Sequence, residues 1–428
     1  MTEAFDFEAV EVAVRRQALR LAARIVEQRL NADTADHAGA TQPCGCGQPA
    51  RYAGRRRKRF TSVLGNLALE RAYYHCAVCD TGFCPRDRAL GVHGTSLSPA
   101  VTRLVGLVGA LVSFAEGSEL LRELADVAVD PKHVERAAEA LGREIAADEQ
   151  EIVEPVPSAE LAPTLYLGLD GTGIPMRAAE LEGRLGKDPG APGKTREVKL
   201  CTVWSAESRD KEGTPVRDEG SVSYSAAIES AASRDTDDGP SAFAARVVRE
   251  TTRRSFDQAQ RRVVLADGAP WIWNLADEHF PDAIQIVDRF HAKEHLSNVA
   301  KALYGPTSDL AQAWAQKRHT ELDAGDFATL LRALRTPALG TDEARKCVDY
   351  IERNRSRMHY PQFRAQGLCT STGVVEAGCK VAIGTRLKRA GMHWTVAGAN
   401  AIIALRCAKL SGRFEGFWER RSQAGATG

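Results

Sequence analysis

The 428-residue sequence predicts a mixed α/β protein. A mixed sheet is flanked by helices and interrupted by an all-helical insertion; a cysteine-bearing module and a helical segment precede it. Three observations carry this. Apolar or β-branched runs at 164–169, 198–204, 222–228, 263–266 and 284–287 read as strands, three of them close in sequence and the rest alternating with helix-like stretches at 241–257 and 271–280. Residues 306–360 then lose the strand pattern and read as helices. Cysteines cluster upstream of all this, between Cys44 and Cys84.

Composition narrows the class. At 43% hydrophobic the chain can bury a sizeable core, and 57 basic against 56 acidic residues give no global pull toward nucleic acid or membrane. The longest uncharged apolar run, Leu104 to Phe114, falls far short of the ~20 residues that cross a bilayer. The acidic N-terminus lacks the basic and apolar regions of a secretory signal, so the ten cysteines point to reduced thiols or metal ligands in a cytoplasmic protein. The expected organisation is an N-terminal helix (1–40), a zinc-ribbon-like module (41–95), a helical segment (96–160), a first core part (161–305), a helical insertion (306–365), a last core part (366–412) and a tail (413–428).

Taken in order, Phe7, Val10, Val14, Leu21, Ile25 and Leu30 mark an amphipathic helix over 7–31. Cys44-x-Cys46 and Cys76-x-x-Cys79 flank a strand-like stretch containing RRRKR (Arg55, Arg56, Arg57, Lys58, Arg59). Two cysteine pairs separated by a hairpin describe tetrahedral thiolate ligation of zinc, with Cys84 or His75 as a substitute ligand. Ser98-Pro99 starts a helix through about Phe114, a second runs through about Leu124, and Asp130-Pro131 starts a third through Leu141. Three short helices could form a helix-turn-helix or a plain bundle.

Two strands end in Asp-Gly, at Asp170-Gly171 in LYLGLDGTGIP and at Asp267-Gly268 in VVLADG. Asp-Gly after an apolar run is a turn signal. Two carboxylates at neighbouring strand ends can equally hold divalent cations through hard oxygen ligands. Glu376 is the third acid, on a helix whose Val375, Cys379, Ile383 and Leu387 form the buried stripe; its other reading is an ion pair with Lys380. From Arg345 to the C-terminus there are 15 Lys or Arg against 5 Asp or Glu, and RNRSRMHYPQFR interleaves Arg353, Arg355 and Arg357 with His359, Tyr360 and Phe363. Bases mixed with aromatics suit a nucleic-acid backbone, as they suit a solvated helical face. In IVDRFHAKEHL, Asp288, His291 and His295 back the sheet edge, as support for the metal ligands or as a structural network. GAPGKT (190–195) is not a phosphate loop, because Asp188 stands where the first glycine is needed.

Together these segments resemble the bacterial insertion-sequence transposases of the ISKra type. The resemblance covers roughly residues 40 to 412: C-x-x-C-x(4)-C-P-x-D (Cys76 to Asp87), LGLDGTGIP, YSAAIES, VVLADGAPWIWNLADEHFPDAIQIVDRFH and STGVVEAGCKVAIGTRLKRAGMHW. It implies an RNase H-like catalytic core and a DDE triad of Asp170, Asp267 and Glu376 holding two Mg²⁺ (or Mn²⁺) ions. A structural Zn²⁺ is expected on Cys44, Cys46, Cys76 and Cys79 from their spacing, with Cys44-x-Cys46 departing from the family's pattern. Double-stranded DNA is the implied partner, as element terminal repeats and target, met by Arg55–Arg59, Arg353, Arg355, Arg357, Lys380, Arg386, Lys388 and Arg389, with the protein a nucleoid-associated homo-oligomer on paired ends. Two other functions share parts of the pattern. A structure-selective nuclease would keep the triad without strand transfer, and an inactive zinc-containing DNA-binding protein would need no metal carboxylates.

Overall fold

The computed structural model describes residues 6–151, 161–184, 193–231, 241–336 and 340–427. Gly190 to Pro192 of GAPGKT and the polar stretch 233–240 lie outside these residues. The chain divides into two compact units, residues 1–145 with 412–428, and residues 146–411.

In the first unit, helix α1 (Phe7–Ala32) starts at Asp6, whose carboxylate accepts the Ala9 N–H. Its Ala23, Val26 and Leu30 pack on Phe60, Leu67 and Leu69 of a long antiparallel hairpin, β2 (Pro49–Ser62) and β3 (Gly65–Cys76). Short strands β1 (Thr41–Pro43) and β4 (Thr81–Phe83) complete a sheet of order β1-β2-β3-β4. Helix α2 (Pro85–Ala89) follows, and its Asp87 takes both oxygens to Arg71 of β3 at 2.8 and 2.6 Å in a buried pair. Ser98 caps α3 (Pro99–Leu111), and Ser113 with Glu116 forms a capping box for α4 (Phe114–Ala125). Helix α5 (Pro131–Glu151) outruns its expected end at Leu141 by almost three turns. At the far end of the chain α16 (Phe414–Thr427) returns to this unit, with Phe414 buried against Gly106 and Glu415 paired to Arg103 at 2.7 Å.

The second unit is built on β5 (Thr164–Pro175), β6 (Thr195–Ser205), β9 (Ser223–Ala227), β10 (Arg261–Ala266) and β11 (Ile284–Val287). Two-residue strands β7 (Ser208–Arg209) and β8 (Pro215–Val216) form a separate ribbon. The main sheet runs β11-β10-β5-β6-β9; the β5-β6 and β6-β9 pairs are antiparallel, the β10-β5 and β10-β11 pairs parallel. All five expected strands form. Helices α6 (Ala242–Arg253), α7 (Pro270–His279) and α8 (Arg289–Tyr304) connect and flank them. The expected helical stretch consists of α9 (Asp309–Ala324), α10 (Phe327–Leu334), α11 (Asp342–Asn354) and α12 (Tyr360–Ala365). Its Leu322, Leu330, Ile351, Tyr360 and Phe363 share one core with Leu167, Val264 and Ile286 of the sheet. The chain ends this unit with α13 (Gly373–Gly378), a π-helical stretch (Cys379–Gly384), α14 (Thr385–Leu387) and α15 (Val396–Leu410).

One expectation needs correcting here. Asp170-Gly171 is not a hairpin turn: β5 continues to Pro175, pairing Asp170 with Leu200, Gly171 with Lys199 and Gly173 with Glu197. The ladder with β6 overrides the local turn tendency. The second Asp-Gly does turn, with Gly268 at φ +97°.

Gly168 on β5 faces the same side as Asp170, two residues on, and a Cβ there would meet Val375 Cγ2 of α13 at 2.3 Å. Gly168→Ala is therefore expected to force α13 off the sheet and destabilise this unit by about 1–3 kcal/mol in denaturant unfolding, as overpacked cores do.

Candidate functional site

The site grows from strand register. β10 pairs with β5 through Ala266 opposite Leu169 and then stops, so Asp170 and Asp267 occupy the next positions on adjacent parallel strands, whose spacing is about 5 Å. Helix α13 crosses the face to which Gly168, Asp170 and Thr172 point. Cys379, just past its end, donates its thiol to Asp170 Oδ2 at 3.2 Å, while Gly171 N–H donates to Oδ1 at 2.6 Å. Asp267 Oδ1 accepts the Ala269 N–H at 2.9 Å. Glu376 is exposed one helical turn before Cys379, near enough that its charge acts on that thiol.

Among the described residues no cation pairs with Asp170, Asp267 or Glu376. The alternative reading of Glu376 as partner of Lys380 is not realised. Burial pushes the Asp170 carboxyl above its usual range, the Asp267 charge adds to the rise, and the Cys379 and Gly171 hydrogen bonds with the His291 charge oppose it. Half-buried, uncompensated carboxylates are the donor set of a hard divalent cation. Among the described residues these oxygens do not all lie within 4.8 Å of one another. That is wider than one Mg²⁺ with bonds of about 2.1 Å can bridge, whereas two ions about 3.5–4 Å apart suit a broader set.

The helix bearing Glu376 keeps its stripe by changing its winding. Val375, Cys379, Ile383 and Leu387 are all buried, as expected. Their strict four-residue period outruns a 3.6-residue turn by about 40° at each step. The wider turn of the π stretch over Cys379–Gly384 offsets that drift, and all four side chains stay buried.

Asp288 locks this helix to the sheet. It is 2% exposed; its N–H donates to Ala266 O at 2.7 Å and its Oδ1 accepts the His291 N–H at 2.8 Å. Its Oδ2 accepts both the backbone N–H and the hydroxyl of Thr372, the residue that begins α13. One residue thus ties the end of β10 through its N–H, and the start of α8 and of the Glu376 helix through its carboxylate. His291 stands in the first turn of α8, its ring 5.7 Å from that of His295. His295 lies 4.1 Å from Tyr350 of α11, whose hydroxyl donates to Asp267 O at 2.7 Å. The helical insertion therefore reaches the backbone of one acid directly. No local pattern marks Tyr350, so sequence reading passed it over. Cys379 was read as plain core, and Thr172, which accepts a hydrogen bond from Lys388, had no assigned role.

The basic residues divide. Arg386 is fully buried over the Trp394 ring at 5.3 Å and is removed from the expected DNA-contacting set. Arg357 is half-buried over Trp273 and donates to Gln285 at 2.5 Å, and Arg55 is held by Asp36 at 3.0 Å. Lys58 is bound to Thr95 O at 2.7 Å and Arg56 lies over Tyr73 at 5.1 Å. Arg355 is exposed over Phe327. Arg57, Arg59, Arg353, Lys380, Lys388 and Arg389 are exposed. Tyr360 and Phe363 are buried, so the aromatics of the basic cluster build core and cannot stack on bases.

In the first unit the thiols of Cys44, Cys46, Cys76 and Cys79 all lie within 4.8 Å of one another. Cys44 and Cys79 are 3.5 Å apart, Cys46 and Cys76 3.7 Å. A tetrahedron with arms of about 2.3 Å has edges of about 3.8 Å, so the four-cysteine cluster can bind zinc. Cys79 is pulled down to about 6, first by the Thr81 hydroxyl and then by its cysteine neighbours. Cys46 is pushed up to about 12: the Gln48 N–H lowers it, but Cys79, burial, Cys44 and Cys76 outweigh that. The substitutes are not used. Cys84 starts α2 instead, and His75 pairs with Asp80 at 3.1 Å. No helix among the described residues is long and apolar enough to cross a membrane.

No family model matches the sequence, and no curated protein matches it. Among solved structures the chain is similar to one in the Drosophila P element transposase strand transfer complex, at 12% identity over 79% of this chain and 84% of that one, with a TM-score of 0.27.

Two outcomes are expected. A raised Asp170 pKa means that its charge penalises the folded state at neutral pH, a penalty relieved as pH falls through the folded value. Asp170→Asn should then raise the metal-free melting temperature by a few degrees, while Mn²⁺ should stabilise only the parent protein in thermal scans. Cys76→Ser should lose bound zinc by metal analysis and the amide protection of the β2–β3 hairpin together.

Proposed function

We propose that the protein is a DDE transposase of a bacterial insertion sequence, of the ISKra type, with an RNase H-like core in its second unit. The observation that supports this is the placement of three acids without a cation partner among the described residues: Asp170 and Asp267 at adjacent strand positions, and Glu376 on the helix whose Val375 packs over Gly168. The sheet order, with β5 central between antiparallel β6 and parallel β10, supports the same reading. Two Mg²⁺ or Mn²⁺ ions on these carboxylates would supply Lewis acidity for hydrolysing phosphodiester bonds at the element ends and joining the freed 3′-OH to target DNA.

The chain's own groups orient that chemistry. Asp288 fixes Glu376 through Thr372, and Tyr350 fixes the Asp267 backbone. Lys388, on Thr172 beside Asp170, and exposed Lys380 offer cations to the DNA backbone at the site's rim. The zinc-ribbon-like module and helices α3 to α5 would recognise the terminal repeats, with Arg57 and Arg59 projecting from β2. The protein would act in the bacterial cytoplasm, at the nucleoid, as a homo-oligomer on paired ends.

Asp170→Ala, Asp267→Ala and Glu376→Ala should each lower Mg²⁺-dependent cleavage of end-containing DNA by at least about a thousandfold, with gel-shift binding of the same DNA kept. Cleavage surviving in any of the three variants sinks the assignment. A plasmid-joining assay with end-containing DNA separates strand transfer from a nuclease that only cuts.

A further inference from the structure

His291 stands beside the carboxylates with a ring that the fold does not use. β10 pairs with β5 through Ala266 and Leu169, and with β11 through Ala266 and Val287. Asp170, Asp267 and Asp288 therefore follow at one level on three neighbouring parallel strands. Asp288 directs its carboxylate to Thr372 and starts α8, and His291 lies in that first helical turn. The cap uses only the His291 backbone N–H, so beginning this helix requires no imidazole.

The two histidines of the segment differ. His295 is half-buried and packed at 4.1 Å on Tyr350; burial and the His291 charge hold its pKa below the ordinary value, with Glu294 and Asp267 opposing. The His291 side chain is 37% exposed, with Nδ1 3.8 Å from Glu294 and its ring 5.7 Å from that of His295. Its Nε2 has no partner among the described residues. From β5, Asp170 feels its charge. The charged and titratable groups around the ring are thus Asp288, Glu294 and His295 on its own helix and Asp170 across from it, with Asp267 and Tyr350 behind His295. An open imidazole beside acids that would bind a phosphodiester is placed for proton transfer, because a departing alkoxide leaves far more easily once protonated.

Resting on the catalytic reading above, we propose that His291 is the general acid of end cleavage. The water oxygen bonds to phosphorus, the P–O3′ bond breaks with its electron pair on O3′, and the Nε2 proton of the His291 imidazolium moves to that oxygen, giving the free 3′-OH. The attacking water releases a proton to solvent. The neutral imidazole then takes the proton of the same 3′-OH as it attacks target DNA, while solvent protonates the displaced target oxygen.

End-containing DNA with sulfur in place of the scissile 3′-oxygen tests this, because a thiolate leaves without being protonated. Rates are taken in Mn²⁺ with the full, zinc-loaded chain. His291→Gln should cut the oxygen substrate about a hundredfold or more slower than the parent. It should cut the sulfur substrate at nearly the parent rate, with gel-shift binding and thermal stabilisation by Mn²⁺ unchanged. Independently of activity, the His291 ring resonances of the metal-free protein, assigned by their loss in His291→Gln, should shift when end-containing DNA is added, and more than those of His295. Equal loss on both substrates, full cleavage of the oxygen substrate by the variant, or ring resonances that ignore DNA would each overturn the proposal while leaving the carboxylate assignment standing. A parent protein that cuts neither substrate, or an Asp170→Ala variant that still cuts, is a different result: the catalytic reading fails and this proposal falls with it.

Discussion

Two parallel strands stop bonding at one level, and the second unit is arranged around that stop. β10 leaves the sheet after Ala266, while β5 runs on beside β6 for six further residues. Asp170 therefore sits inside a strand with one edge open. It is too buried to be well hydrated, and among the described residues no cation pairs with it. Such a charge is costly to hold in place. It persists because its surroundings are fixed by other interactions: the β6 ladder, Val375 against Gly168, and the Cys379 thiol on its second oxygen. Asp288 extends the same constraint, since its N–H bonds the end of β10 while its carboxylate holds the starts of α8 and α13.

Much of this was legible in the sequence, and the limits are physical. Five apolar runs marked five strands, because strands buried on both faces read as continuous hydrophobic segments. The same Asp-Gly pair misled at 170 and informed at 267. Turn propensity is local, while the β6 ladder that keeps β5 straight past Gly171 pairs it with Lys199 to Thr195, far along the chain. The buried stripe of the Glu376 helix was read correctly, but its four-residue period also encoded a π turn. The basic-aromatic cluster shows the opposite limit. Composition places Arg357, Tyr360 and Phe363 together without saying which way they face, and tertiary packing turned the aromatics inward.

The cysteine module shows how a motif mixes roles. In C-x-x-C-x(4)-C-P-x-D, Cys76 and Cys79 join the thiol cluster, Cys84 begins a helix, and Asp87 holds buried Arg71. Spacing alone does not separate ligand from scaffold, since both need fixed positions on one short segment. Helix α1 carries a similar ambiguity. Its apolar positions announced an amphipathic helix, yet of those six only Leu30 packs on the hairpin, and the small Ala23 does the closest packing. The helix packs on the hairpin through Ala23, Val26 and Leu30, while Val10, Val14, Leu21 and Ile25 stay exposed.

The two candidate metal sites differ in hardness, and the neighbours keep them apart. Four mutually close thiols, one already drawn down to about 6, favour a soft ion. At Asp170 a sulfur also lies within reach, and a thiolate there would soften the oxygen site. Burial and the adjacent Asp170 charge push the Cys379 thiol well above its ordinary value, so it stays protonated and acts as a donor. It steadies one carboxylate oxygen without competing as an anionic ligand. On the proposed reading, that difference leaves the carboxylate site open to Mg²⁺ while zinc is drawn to the cysteine cluster.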